Sequence, residues 1–451
     1  MVRARTVHSC SACGWTSPQW AGRCGGCDEW NTLVEELVEA RPDSGVGPAQ
    51  SVPAPIGSVR DGGADAQPTG VAEVDRVLGG GFVPGSVTLV GGEPGIGKST
   101  LLLQLAAATA ARGTSALYVS GEESAGQVRG RADRLGAIHD DLWLVSETSL
   151  PHILSHLEKV GPALVVIDSI QTLSDPALSS APGSVAQVRE CASRLVTFAK
   201  QHGTMMVLVG HVTKDGALAG PRVLEHVVDT VLEFDGDRHH GLRLLRASKH
   251  RFGATSEVGL LQMEGSGLVA VDDPSGLFLS DRAAGVSGSA VVATVDGNRP
   301  LLVEVQALVA NSTLATPRRS AQGVDGGRLA MLLAVLERRC GMPVSGSDVY
   351  ALAVGGARIS DPGADLAVAL AVASSLTGRP LADDVVAVGE VGLGGELRQV
   401  AHLERRLAEA ARMGFRQAIV APSSAKVPEG LEVLRAPTLN AALVLAEVGS
   451  A

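Results

Sequence analysis

Gly92-Glu93-Pro94-Gly95-Ile96-Gly97-Lys98-Ser99-Thr100 decides the fold. It satisfies G-x-x-x-x-G-K-[ST], the phosphate-binding P-loop. The preceding Ser86-Val87-Thr88-Leu89-Val90 is β-branched and apolar, as a buried strand should be, and the following Leu101-Leu102-Leu103-Gln104-Leu105-Ala106-Ala107-Ala108 is a run of helix formers. Strand, glycine turn and helix therefore come in the order the motif needs. Gly95 and Gly97 let the backbone close on a phosphate, whose charge meets the N–H groups of the helix N-terminus. Lys98 then reaches the β- and γ-phosphates, and the Ser99 hydroxyl can ligate Mg²⁺. A glycine turn that merely happens to precede Lys-Ser is the bland alternative, and the flanks disfavour it. Residues Gly92 to Thr100 are read as a nucleoside-triphosphate site.

Downstream, Ala116-Leu117-Tyr118-Val119-Ser120 reads as a second strand, ending in Gly121-Glu122-Glu123-Ser124. A carboxylate at a strand's C-terminal end lies where α/β sheets place their sites, and could orient an attacking water. An acid is equally at home in the first turn of a helix. Ala163-Leu164-Val165-Val166-Ile167-Asp168 is nearly all apolar, as a parallel strand buried on both faces should be. Its terminal Asp168 matches a Walker B aspartate, which holds Mg²⁺ directly or through water. Residues 175–184, rich in Pro, Gly and Ser, read as a mobile loop. A helix follows, with Val185, Val188, Leu195, Val196 and Phe198 inward and Arg189, Arg194 and Lys200 among its polar positions. Met205 to Gly210 is another buried strand, ending at His211, which either senses a γ-phosphate or is an ordinary polar terminus. The short basic loop around Lys214 suits a phosphate backbone. Arg243 to Gly253 is the densest basic stretch of the chain. It is either a solvated charged face or a phosphate-binding element offered to a neighbouring subunit.

Upstream, Cys10-x-x-Cys13 and Cys24-x-x-Cys27 have the spacing of a tetrahedral Cys₄ zinc site. Four thiolates leave no open position, so such a metal is structural. Redox dithiols or a disulfide pair are the alternatives, which a reducing cytosol disfavours. Trp15, Trp20 and Trp30 read as the packing of this small module. Cys191 and Cys340 sit in apolar helical patterns and read as core residues. Residues 35–59 hold four prolines among Gly, Ser and Ala and read as a linker.

The 451 residues suggest two or three domains at roughly 150 residues each. A hydrophobic fraction of 45%, 55 glycines and few aromatics fit a loop-rich α/β protein. The net charge of −10 means that any nucleic acid must be held by a local basic surface. The start, Met1 to Thr6, leads into cysteines rather than an apolar segment, and no apolar run approaches the ~20 residues of a membrane span. The expectation is a cytoplasmic protein that does not enter membranes. Beyond residue 296, strands at 301–309, 385–389 and 417–420 and helices at 327–337, 364–375 and 403–413 are expected, with no catalytic spacing visible from pattern alone.

Together these residues resemble the RadA/Sms family of bacterial recombination proteins, over essentially the whole chain. The Cys₄ knuckles, the P-loop, Asp168 and Lys249-His250-Arg251-Phe252-Gly253 stand in that family's order, with His250 where the family signature K-N-R-F-G has Asn. The resemblance implies an α/β fold class with four parts: a Cys₄ zinc module (1–34), a linker (35–59), a RecA-like P-loop ATPase core (60–275) and a Lon-protease-like domain (276–451). It implies ATP, Mg²⁺ and Zn²⁺ as cofactors. Lys98, Glu122, Asp168, Lys249 and Arg251 would be the catalytic residues, with Glu123 second to Glu122. Cys10, Cys13, Cys24 and Cys27 would hold the metal, and Lys214 and Arg189 would contact DNA. The Lon serine register falls on Gly363 and the lysine register on Arg406. Glycine has no nucleophile and arginine is not a general base, so this domain is expected to be a scaffold. The family implies a ring-shaped, hexameric homo-oligomer, a DNA-dependent ATPase moving on single-stranded and branched DNA. It would drive branch migration in recombination, repair and stress response beside a RecA-type recombinase. A nucleotide-switched binding module without motor activity is the alternative.

Overall fold

The computed structural model describes residues 5–10, 15–26, 28–38, 55, 58, 65–211, 222–236 and 241–449. The chain divides into two compact units, Met1–Ala270 and Val271–Ala451. At the front, β1 (Arg5–Cys10), β2 (Thr16–Ser17) and β3 (Leu33–Val38) form an antiparallel sheet in the order β2-β1-β3. Pairing of β1 with β3 runs to Arg5↔Val38, so strand structure extends into the stretch read as linker. The rest of that linker, residues 39–54, lies outside the described residues.

The first unit's main sheet is built from α1 (Ala72–Val77), β4 (Val87–Gly92), α2 (Lys98–Ala110), β5 (Ala116–Ser120), α3 (Ala125–Arg134), β6 (Leu142–Ser146), α4 (Leu150–Val160), β7 (Leu164–Asp168), α5 (Val185–His202), β8 (Met205–His211), α6 (Arg222–Glu225), β9 (Thr230–Gly236), β10 (Leu242–His250), β11 (Val258–Glu264) and β12 (Gly267–Ala270). Among the described residues it is a nine-stranded sheet, β12-β11-β10-β9-β4-β8-β7-β5-β6. From β9 to β6 neighbouring strands are parallel, and β9 to β12 form an antiparallel meander. Period-2 alternation divides the strand side chains between two cores. Leu164 and Val166 join Tyr118, Val207 and the leucines of α2 on one face. Val165 and Ile167 join Leu208, Leu157 and Leu195 on the other. With both faces covered, β4, β5 and β7 are buried throughout, which is why they read as continuous apolar runs. Edge strand β6 is half-exposed, with Trp143 outward, although Leu142 to Val145 is itself an apolar run.

The second unit contains α7 (Pro274–Leu279), β13 (Ser289–Asp296), β14 (Arg299–Asn311), β15 (Arg319–Gln322), α8 (Gly326–Cys340), β16 (Ser347–Ala353), α9 (Asp365–Thr377), β17 (Val385–Val388), β18 (Glu390–Val391), β19 (Leu397–Arg398), α10 (Leu403–Arg412), β20 (Gln417–Val420), β21 (Glu432–Arg435) and α11 (Leu439–Leu445). Its larger sheet runs β15-β16-β14-β13-β17-β20-β21. Every residue from Asp365 to Ser374 is buried, as expected for a helix that is apolar on all sides. The expected strands and helices of this region are all present, and α7, β13, β15, β16, β18, β19, β21 and α11 are additional. Cys191 and Cys340 are buried, as their apolar settings suggested.

Candidate active site

The P-loop joins β4 to α2. Gly95 and Gly97 adopt φ of 77° and 116°, a region that side chains with a Cβ rarely enter. Gly92 is required for another reason: a Cβ there would lie 2.3 Å from the Phe234 carbonyl on β9. Lys98 Nζ, almost wholly buried, donates to the carbonyls of Gly92 at 2.7 Å and Glu93 at 3.0 Å. Burial pulls its pKa below the ordinary lysine value, while the charges of Asp168 and Glu122 act in the other direction. Beneath the loop, Arg243 Nε donates to the Ile96 carbonyl at 2.8 Å. Sequence reasoning placed Arg243 in a basic stretch and gave it no role of its own. It is a buried arginine on β10 that braces the P-loop.

Asp168 ends β7, separated from β4 by β8 alone. Its Oδ2 accepts a hydrogen bond from the Tyr118 hydroxyl at 2.5 Å. Glu122 and Glu123, adjacent in sequence, have different partners. Glu122 Oε1 accepts from the Ser169 hydroxyl at 2.6 Å, which holds it against the residue following Asp168. Glu123 is ion-paired with Arg131 of α3 at 2.6 Å. Ser124 caps α3 through a reciprocal box with Gln127, so the acids precede the helix rather than fill its first turn. Lys98, Glu122 and Asp168 thus come together, with Ser99 and Thr100 in the first turn of α2.

Lys249 and Arg251 lie elsewhere. The strand pairings put His250 opposite Thr230, and Thr230 opposite Thr88 near the start of β4, whereas Gly92 at its end pairs with Phe234. Arg243 touches the P-loop, so at about 3.3 Å per residue Lys249 is about 20 Å from it along β10. Lys249 Nζ donates to the carbonyls of Glu225 and Val228, and Arg251 pairs with Asp229 at 3.3 Å. His250 Nδ1 meets the Thr230 hydroxyl at 2.9 Å, and its Nε2 meets the Leu78 carbonyl at 3.2 Å. Much of the basic stretch is therefore a buried strand and not a solvated face. Arg189 is exposed on α5, and Lys214 lies outside the described residues. Residues 175–184, expected as a mobile loop, are tied at their first residue: Asp175 is buried, pairs with Arg194 at 2.5 Å, and its N–H donates to Gln187 Oε1 at 2.8 Å.

In the N-terminal module, Cys10, Cys24 and Leu33 form one buried cluster, and the Gly26 N–H points to Cys24 Sγ at 3.3 Å. Two soft donors side by side, with an N–H directed at one sulfur, suit a thiolate metal site. Cys13 and Cys27 lie outside the described residues. The tryptophans pack the module only in part: the Trp15 ring lies against Gly25, while Trp20 and Trp30 are 60% and 68% exposed. With so few residues the module cannot enclose indole rings.

In the second unit, Gly363 and Arg406 are neighbours. A Cβ on Gly363 would lie 3.1 Å from Arg406 Nη1. Arg406 is buried and ion-paired with Asp361, and also donates to the carbonyls of Ala293 and Ala401. Asp361 in turn accepts from the Gly363 N–H at 2.9 Å and the Thr294 hydroxyl at 3.1 Å.

This fold and site define a RecA-like P-loop ATPase with an N-terminal zinc ribbon and a Lon/ChlI-like C-terminal region. Family models agree in each part: a rubredoxin metal-binding domain over residues 8–35, an AAA domain over 53–217 and the ChlI subunit of Mg-chelatase over 349–424. The chain is 51% identical to the DNA repair protein RadA of Pseudomonas aeruginosa, covering 98% of this chain and 99% of that one. It is 49% identical to RadA of Mycolicibacterium smegmatis (98% and 97% covered) and 44% identical to RadA of Bacillus subtilis (98% and 99%). The chain belongs to the RadA family of DNA repair proteins. No helix among the described residues is long and apolar enough to cross a membrane.

Proposed function

We propose that this chain is a DNA-dependent ATPase that assembles as a ring, translocates on single-stranded DNA in the cytoplasm and promotes branch migration of recombination intermediates beside a RecA-type recombinase. The observation that carries the ring is the position of Lys249 and Arg251, at the sheet end remote from their own P-loop. Two cations there serve a nucleotide only if it belongs to a neighbouring subunit. A homo-oligomer, hexameric in this reading, follows from that requirement.

Within one subunit, residues Gly92 to Thr100 cradle the phosphates of ATP. Lys98, now bonded to two loop carbonyls, exchanges them for phosphate oxygens. The Ser99 hydroxyl and Asp168 carboxylate are hard oxygen donors of the kind Mg²⁺ takes, and the ion when bound neutralises developing phosphate charge. Glu122, held by Ser169 beside Asp168, orients the attacking water; the ion pair of Glu123 with Arg131 supports giving the role to Glu122. Lys214 and Arg189 offer contacts to the DNA backbone. Cys10, Cys13, Cys24 and Cys27 form a closed structural zinc site. The C-terminal domain serves as a scaffold: its dyad positions hold a glycine and an arginine fixed by Asp361, a pair without nucleophile or base.

ATP hydrolysis with and without single-stranded DNA, at two salt concentrations, tests the proposal. Stimulation that falls steeply with salt supports a DNA motor. Unstimulated hydrolysis with intact nucleotide binding would reject it in favour of a nucleotide-switched binding module. Cleavage of casein would reject the scaffold assignment.

A further inference from the structure

Both carboxylates of the nucleotide site are held by hydroxyls from the opposite strand. Ser169, which follows β7, holds Glu122 beyond β5; Tyr118, within β5, holds Asp168 at the end of β7. The second of these bonds is unusual in its setting. Tyr118 is 1% exposed, among the largest fully buried side chains, and its ring lies in the apolar core that includes Leu102, Val166 and Val207. A tyrosine placed so deeply needs a partner for its hydroxyl, or it forfeits a hydrogen bond. Here the partner is the aspartate that the nucleotide site also requires. A phenol is protonated at neutral pH, and here it donates to the carboxylate.

We propose that Tyr118 is a positioning residue for metal-dependent nucleotide binding: its hydroxyl fixes the plane of the Asp168 carboxylate in the orientation that receives Mg²⁺ or its water, and keeps that carboxylate from turning onto Lys98. The charges of Asp168 and Lys98 act on each other across the site. The 2.5 Å bond from a rigid phenol ties Oδ2 with little rotational freedom to lose. This inference rests on the nucleotide-site reading above.

The test uses the full-length protein and a MANT-labelled, non-hydrolysable ATP analogue, with fluorescence followed during Mg²⁺ titration. Tyr118→Phe retains the ring and removes only the donor. The half-saturating Mg²⁺ concentration should rise roughly tenfold, the scale on which partners of metal-binding carboxylates act. Binding of the analogue in EDTA, which depends on the loop backbone and Lys98, should not change. In an Asp168→Asn background the same Phe substitution should produce no further shift. A Mg²⁺ requirement equal to wild type would overturn the inference. So would an equal shift in both backgrounds, which is what a general packing or folding defect would give. If wild-type binding depends on neither Mg²⁺ nor Lys98, it is the nucleotide-site reading that fails.

Discussion

Two adjacent glutamates at the end of β5 differ in what they can do because they differ in partners. Glu122 shares a hydrogen bond with Ser169, next to Asp168, while Glu123 is occupied by Arg131. Glu122→Gln should therefore lower ATP turnover by about 10²–10³-fold, the range of a positioned general base, with nucleotide binding retained. Glu123→Gln should leave turnover within a few-fold; steady-state kinetics on the two variants distinguish them. Lys98→Ala should abolish turnover, and substantial residual hydrolysis would remove the P-loop from its assigned role. Arg243 was not legible as a functional residue, because its partner, the Ile96 carbonyl, lies 147 positions away in sequence. Nor could residue order reveal that Tyr118 and Asp168 share a bond across 50 positions.

Helix α10 shows how an element can keep its place in a fold while its side chain takes another part. Arg406 enters the interior between β13 and the segment carrying Asp361 and Gly363, and its charge is met by Asp361. Burial alone would raise the Asp361 carboxyl, but the bond and charge of Arg406, with the Gly363 N–H and the Thr294 hydroxyl, together outweigh it and hold the pKa below the usual carboxylate value. Because the folded value is depressed, the pair's stabilisation is present above the unfolded pKa of ~4 and is lost as pH falls below it. Arg406→Ala leaves a buried carboxylate unpaired and should cost about 3–5 kcal/mol, measured by urea denaturation at pH 7. The loss should shrink as pH falls through the depressed folded value, where Asp361 takes up its proton. A pH-independent difference would mean that packing, not charge, is what Arg406 contributes. The placement of α10 was readable from its strong amphipathic pattern, whereas the short polar β15 carries neither alternation nor an apolar run; β6 and β16 do hold apolar runs, but their half-exposed setting follows from sheet order rather than from local sequence.

At the scale of the whole molecule, the sheet separates the P-loop from Lys249 and Arg251 by about 20 Å along β10. Arg251→Ala should leave nucleotide binding nearly unchanged and lower DNA-stimulated turnover by about 10³-fold or more, as removing an arginine supplied in trans does elsewhere. Mixing Arg251→Ala with Lys98→Ala subunits should restore part of the turnover, because a mixed ring contains interfaces with one intact loop and one intact arginine. Two inactive proteins that stay inactive when mixed, while still co-assembling, would place the arginine in its own subunit's chemistry instead. The side chain is available for such a role: it is half-exposed, and its 3.3 Å pair with Asp229 is one a phosphate could displace.

Local chemistry is what the sequence determined by itself. The P-loop, the two Cys-x-x-Cys pairs, the strands at 116–120 and 417–420 and the Walker B position are each written within a few consecutive residues, because a turn, a knuckle or a doubly buried strand needs only neighbours in the chain. Tertiary structure alone decided which of two glutamates faces Asp168, that Tyr118 and Arg243 support the site, and that Gly363 and Arg406 meet. It also decided that Lys249 and Arg251 stand away from their own loop. Each of these depends on strand order and register, which bring together residues separated by 43 to 147 positions, and no local pattern encodes a partner at that distance.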